Sequence, residues 1–77
     1  MGSKILRELK PGRKGRIVKI LGDGPIRRRI LDMGLVRGAE VEMERVAPLG
    51  DPLEVKIKGY HLSLRKEEAA RIFVEVI

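Results

Sequence analysis

Residues 39–64, AEVEMERVAPLGDPLEVKIKGYHLSL, decide the fold because apolar and charged residues alternate on both sides of one short loop. Before the loop, Val41 and Met43 alternate with glutamates. After the loop, Val55 and Ile57 alternate with glutamate and lysine. A period of two is typical of strands that bury one face and expose the other. The stretch therefore predicts a β-hairpin whose inner face must be covered by the rest of the chain.

The loop of this hairpin, residues 46–53 (VAPLGDPL), interrupts the predicted pairing. Its two prolines have no N–H to donate to a ladder, and the Gly-Asp pair between them accepts turn geometry. We therefore expect the loop to project from the sheet. A register that places Glu44 opposite Lys56 and Glu42 opposite Lys58 would line up cross-strand ion pairs on the outer face.

The segments around the hairpin predict further short strands and two helices. Residues 16–21 are apolar and β-branched and predict a strand, as do the alternating apolar residues of 72–76. Residues 23–34 predict a helix that begins at a proline and ends at Gly34, with an apolar stripe at helical spacing. The remaining expectations are a lid made of a helical turn or an edge strand at 3–9, a bend of the sheet at Gly59 and a short helix at 65–71 capped by Ser63.

These elements indicate a mainly β fold: a small, strongly curved antiparallel barrel with one inserted helix and a short C-terminal helix. We expect residues 1–77 to form a single domain, because a chain of this length has room for one small core. Only two aromatic residues are present, and we expect both, Tyr60 and Phe73, to lie in the core.

Charge is distributed unevenly along the chain. Residues 1–38 hold eleven Lys or Arg against three acidic residues, and residues 39–77 hold six against eight, so that the halves carry +8 and −2. Three consecutive arginines, Arg27 to Arg29, fall in the first turn of the predicted helix, where the helix dipole disfavours cations. They are either a solvated basic face or functional residues. A basic half indicates an anionic partner: nucleic acid, anionic lipid or an acidic protein.

The residue types argue against most catalytic chemistry. One histidine and no cysteine leave no set of residues for the usual zinc or Cys-His sites. His61 alternates with Tyr60 and Leu62, so we expect it on the exposed face. No apolar run approaches the roughly 18 residues of a membrane span. We therefore expect a cytoplasmic binding protein without catalytic residues, resident metal or cofactor.

Several motifs together resemble one family. They are RILDMGL at 29–35, GAEV at 38–41, APLGDP at 47–52, GYHLSLR at 59–65 and EA at 68–69, and their order and spacing cover nearly the whole chain. The chain is similar to the FeoA-type ferrous iron transport proteins. The same fold also resembles the C-terminal domain of DtxR-like metal-dependent repressors.

The resemblance implies an SH3-like barrel and a cytosolic accessory role in bacterial Fe(II) uptake. The partner it implies is FeoB, a membrane transporter with a cytosolic G-protein domain. The alternatives are a small basic barrel that binds nucleic acid, although we expect no nucleic acid as partner, and a metal-responsive module related to the repressor domains. We expect eight residues to contact the protein partner: Arg27, Arg28, Arg29, Met33, Pro48, Leu49, Asp51 and Pro52.

Overall fold

The computed structural model describes residues 2–77, which form one six-stranded antiparallel sheet with two short helices. The strands lie in the order β1-β6-β2-β3-β4-β5, so that β1 and β5 are the two edges. The elements are β1 (Ser3–Ile5), a 3-10 turn (Leu6–Glu8), β2 (Lys14–Ile20), α1 (Gly24–Asp32), β3 (Glu40–Val46), β4 (Leu53–Ile57), β5 (Tyr60–Leu64), α2 (Lys66–Ala69) and β6 (Ile72–Val76).

The predicted hairpin is present as β3 and β4, but its predicted register is wrong. Glu42, not Glu44, lies opposite Lys56. Beside the loop, where Arg45 lies opposite Glu54, the pairing differs from the prediction by one residue. The register shifts again between Met43 and Arg45, where β3 carries one residue more than β4, and this irregularity adds the second residue. Because the error is two residues, the predicted inner face is still the buried one.

The predicted bend at Gly59 is instead a second hairpin. Lys58 and Gly59 form a two-residue turn with φ of 50° and 83°, and the chain reverses there into β5. Positive φ at both central residues is the requirement of a type I′ turn, which matches the twist of the flanking strands. A reversal shifts the phase of the apolar residues just as a bulge does, and so the sequence pattern fits both.

One apolar core lies against the inner face of the sheet. Every strand after β1 contributes to it, including β3 and β4 with the fully buried Met43 and Val55. In β2 the buried Ile17 and Ile20 are three residues apart, because the register shifts between Ile17 and Lys19. Phe73 is half-buried, but Tyr60 is 70% exposed, and its predicted core position is wrong. Tyr60 lies on the face of the buried Ile57, but at the edge of the sheet beside the turn, where no further strand within residues 2–77 covers it.

Helix α1 begins and ends close to its predicted limits. Pro25 lies in the first turn, and Gly34 follows the last turn with φ of 93°, the left-handed conformation that a helix C-terminus favours. Ile30 is fully buried, while Ile26 and Met33 are half-buried against the core. The predicted stripe therefore fixes which side of α1 faces outward.

The N-terminal segment contains both structures that the sequence left open. β1 pairs with β6 as an edge strand, and the 3-10 turn follows it directly. Leu6 and Leu9 are buried in the main core. This segment is therefore part of the folded core.

Gly15 of β2 is required because β6 approaches too closely for any side chain. A Cβ at this position would lie 2.8 Å from both Cβ and Cγ2 of Val74. We expect Gly15→Ala to lower the free energy of unfolding by about 1–2 kcal/mol, because overpacking forces neighbouring groups to move. Chemical denaturation measures the change. Gly2→Ala is the matched control, since a Cβ there meets nothing within 4 Å, and equal effects in the two variants would contradict the packing argument.

Candidate partner-binding surface

The three consecutive arginines of α1 have three different environments. The Arg27 guanidinium donates to the main-chain carbonyl of Ile20 at 2.7 Å, which ties α1 back to the end of β2. Arg29 Nε lies 3.1 Å from a carboxylate oxygen of Glu68. Arg28 is exposed and has no ion pair or hydrogen bond from its side chain within residues 2–77. Arg28 is therefore the arginine of this cluster whose charge is directed to solvent.

Glu68, which the sequence analysis placed in a family motif but did not select as a contact residue, holds α1 and α2 together. Its side chain is almost completely buried, and Oε1 accepts a hydrogen bond from the Arg65 N–H at 2.9 Å. Oε2 faces Arg29, so one carboxylate caps α2 and orients a cation of α1. The residue before the helix is Arg65, so the predicted Ser63 cap is wrong. The sequence signal for a cap at Arg65 was Glu68, because a glutamate three residues after the cap position is typical of a helix N-terminus.

The β3–β4 loop, residues 47–52, is closed internally and attached to α2. Gly50 N–H donates to the Ala47 carbonyl at 2.7 Å, and Asp51 Oδ1 accepts from the Lys66 N–H at 3.0 Å. The Asp51–Pro52 peptide bond is cis. Pro48 and Leu49 form the exposed tip, where Leu49 is 90% exposed. The loop therefore presents one large apolar side chain on an ordered base.

Two shallow grooves share Arg29 and join α1 to the loop. One runs along the outward side of α1, and the other lies between Arg29 and the base of the loop. The first is lined by Gly24, Pro25, Arg28, Arg29, Asp32 and Met33, and the second by Arg29, Asp51, Pro52, Ser63, Leu64 and Arg65. We call the outward side of α1 together with the β3–β4 loop the helix–loop surface.

The eight predicted contact residues divide into three groups. Arg28, Arg29 and Met33 meet in the groove of α1, and Asp51 and Pro52 meet Arg29 in the second groove. Pro48 and Leu49 lie at the loop tip and line neither groove. Arg27 lines neither groove and is held by Ile20.

His61, the one histidine of the sequence, lies on β5, outside the helix–loop surface. The exposed His61 pairs through Nδ1 with Glu44 Oε1 at 2.7 Å, on the outer face as predicted. In the part of the chain that the structure describes, no three residues among His, Cys, Asp and Glu are grouped so that they could hold a metal ion. Neither helix of residues 2–77 has the length and apolar character needed to cross a bilayer.

The fold and this surface define a class: small SH3-like barrels that carry a helix inserted between the second and third strands. The model of the FeoA domain family matches residues 4–76. The chain belongs to the FeoA family, which confirms the resemblance seen in the sequence.

Two solved structures support the assignment. The FeoA-like protein from Clostridium acetobutylicum is 43% identical, with a TM-score of 0.91 over 100% of this chain and 90% of that chain. FeoA of Stenotrophomonas maltophilia, solved with zinc and described as an SH3 domain protein, is 31% identical, with a TM-score of 0.78 over 91% of this chain and 87% of that one. The SH3-like fold is thus confirmed. T. acidophilum IdeR, 23% identical with a TM-score of 0.89 over 100% of this chain and 35% of that chain, shares the fold.

A curated relative carries the same domain within a much longer protein. It is the Fe(2+) transport protein A/Fe(2+) transporter FeoB fusion protein of Porphyromonas gingivalis, which is 46% identical over 72 residues. The match covers 94% of this chain, but this chain spans only 8% of the length of that relative.

Proposed function

We propose that this chain is a cytosolic accessory protein of bacterial ferrous iron uptake that acts by binding the FeoB transporter. The observation that carries the proposal is the fusion relative, whose name joins a transport protein A to FeoB in a single chain. Two domains joined in one polypeptide remain at high effective concentration, so even a weak contact is sufficient to keep them bound to each other. The proposed role is binding, with no catalytic step and no cofactor.

The helix–loop surface supplies the two kinds of contact that such an interface needs. Arg28 offers a charge without an internal partner, which suits steering toward an acidic surface. Leu49 offers an exposed apolar side chain on a fixed loop, which suits insertion into a pocket. Pro48 would extend the apolar tip, while Met33, Arg29, Asp51 and Pro52 would line the grooves between the two contacts.

The experiment that tests this function is a titration of the full chain with the cytosolic G-protein domain of its cognate FeoB, followed by NMR. We expect shifts in α1 and in residues 46–53, with and without GTP in parallel samples. A DNA duplex at low salt is the control for a purely electrostatic partner. Absence of shifts with the G-protein domain in both nucleotide states would refute the proposed contact.

Arg28→Glu is expected to slow association with this domain by about three- to tenfold and to weaken its salt dependence. The free energy of unfolding should stay within about 0.5 kcal/mol, because Arg28 is exposed and bonds to no residue of the described chain. Stopped-flow association at several salt concentrations measures the effect. Lys10→Glu, the same charge reversal at an exposed position outside the helix–loop surface, is the matched control, and equal slowing by both would remove Arg28 from the interface.

A further inference from the structure

The outer edge of β5 lacks the protection that natural edge strands usually carry. β5 lies at the end of the sheet, and its sequence, YHLSL, contains no proline, lysine, arginine or acidic residue. The opposite edge, β1, is only three residues long and carries Lys4. Exposed edges without charge, proline or a covering element pair readily with another extended chain. In a protein with 36% charged residues, an edge strand without lysine, arginine or an acidic residue is a distinctive feature.

The register shows which backbone groups of β5 face outward. The two-residue turn closes on Ile57 and Tyr60, which form the hydrogen-bonded pair next to it. Hydrogen-bonded and non-hydrogen-bonded pairs alternate along an antiparallel ladder. The N–H and C=O groups of His61 and Ser63 therefore point away from β4.

Nothing in residues 2–77 supplies partners for these outward groups. No strand pairs with β5 on that side, and no hydrogen bond from a loop, helix or side chain of the described chain reaches the main chain of His61 or Ser63. Two donors and two acceptors are thus spaced for an added strand.

Two side chains beside this edge leave apolar surface of the inner face exposed. Tyr60 and Leu62 lie on the same face as the buried Ile57 and Val55, yet Tyr60 is 70% exposed and Leu62 is only half-buried. An added strand with apolar residues at alternate positions would continue the inner face of the sheet and cover both. The edge thus favours a segment with a period of two.

The charged residues at the two ends of β5 indicate which kind of segment the edge can bind. The Ser63 end of the edge opens into the groove lined by Arg29, Arg65 and Asp51. Arg29 already pairs with Glu68, and Asp51 already accepts from the Lys66 N–H, which leaves the exposed Arg65 as the cation at this end. The other end lies beside the exposed Lys58. An antiparallel second copy of β5 would bring the Arg65 end of one molecule against the Lys58 end of the other, in a protein with net charge +6. Like charges oppose that pairing, whereas an acidic segment would be attracted.

We propose that the outer edge of β5 is a binding site for an extended peptide segment with alternating apolar residues and an acidic end that reaches Arg65. The segment adds as a seventh strand through the main chain of His61 and Ser63. This site lies beyond the contact proposed for FeoB, and it does not require the tip of the β3–β4 loop.

A peptide of alternating Val and Thr with two Glu residues at one end tests the site. Amide hydrogen exchange of the full chain is followed by NMR with and without the peptide. In the free protein, His61 and Ser63 amides should exchange faster than those of Leu62 and Leu64, and the peptide should slow exchange at His61 and Ser63. A peptide with Lys in place of Glu should bind at least fivefold more weakly, since attraction to Arg65 becomes repulsion.

Ser63→Pro provides the backbone test. Proline removes the outward N–H without removing a bond to β4, and should weaken peptide binding by about fivefold or more, the equivalent of one lost hydrogen bond. Ser63→Ala keeps the N–H and should bind as the parent chain does. The heteronuclear NMR spectrum of each variant shows whether it is folded. Leu62→Thr removes part of the exposed apolar surface beside the edge, and as an independent second variant it should bind the peptide more weakly.

Three results would overturn the proposal. They are exchange at His61 and Ser63 that the peptide does not slow, equal affinity of the Ser63→Pro and Ser63→Ala chains, and protection of these amides that grows with protein concentration alone. The last result would identify a second copy of the chain as the occupant. Binding of the FeoB domain to Ser63→Pro tests the two sites separately, because loss of peptide binding with retained FeoB binding supports both proposals.

Discussion

Leu6→Ala is expected to lower the free energy of unfolding by about 3 kcal/mol. Leu6 is in the 3-10 turn after β1, and it is fully buried in the main core. Truncation removes the buried methyl groups and leaves a cavity that the surrounding sheet fills only partly. A domain of this size has roughly 4–12 kcal/mol in total. One residue near the N-terminus would therefore remove a large fraction of the stability.

The measurement is equilibrium denaturation of both the parent chain and the variant, with fluorescence of Tyr60 or circular dichroism as the signal. Leu49→Ala is the matched control, since it makes the same chemical change at a side chain that is 90% exposed, and should alter the stability by less than about 0.5 kcal/mol. A Leu6→Ala change as small as that of Leu49→Ala would show that the N-terminal segment contributes little to the core.

The period-two pattern was sufficient to predict the sheet, because alternation depends only on which face each strand buries. It identified β3, β4 and β6, and the helical stripe identified α1 with its buried Ile30. The pattern did not fix the pairing of β3 with β4. A shift by two residues keeps every side chain on its face, so hydrophobic alternation cannot distinguish Glu42 from Glu44 opposite Lys56.

The candidate site was less predictable, since its residues are arranged by tertiary contacts. Arg27, Arg28 and Arg29 are equivalent in the sequence, but they separate once α1 lies against β2 and α2. Arg27 then donates to the Ile20 carbonyl and Arg29 pairs with Glu68, while the Arg28 side chain has no hydrogen bond or ion pair within residues 2–77. No local pattern carries this information.

The turn at Lys58–Gly59 shows a second limit of predicting the fold from the sequence pattern. A phase change beside glycine fits a bulge as well as a tight turn, and the two alternatives give different sheets. Only the turn makes β5 a separate edge strand. The exposed position of Tyr60 and the uncovered edge of β5 follow from that single reversal, and thus neither was visible in the sequence.

Leu49→Asp is expected to weaken binding to the FeoB G-protein domain by about thirtyfold, near 2 kcal/mol. Leu49 is the most exposed of the large apolar residues, at 90%, and hydrogen bonds within residues 47–52 hold the loop that carries it. An apolar side chain on an ordered loop loses little entropy when a pocket of the partner takes it up, so its removal costs most of the contact. The aspartate also adds a negative charge that an acidic partner would repel.

Isothermal titration of the G-protein domain with each variant measures the loss. Ile77→Asp is the matched control, because it makes an equivalent change at an exposed apolar residue whose N–H bonds to Lys14, near the opposite end of β3 from the loop. Leu49→Met preserves the apolar contact and should bind within about threefold of the parent chain, since volume-conserving apolar exchanges cost little. Because the loop is closed by main-chain bonds and by Asp51, the stability of the Leu49→Asp chain should be unchanged, which separates loss of contact from loss of fold. Affinity of this variant equal to that of the parent chain would exclude the loop tip from the interface and leave the groove of α1 as the remaining part of the helix–loop surface.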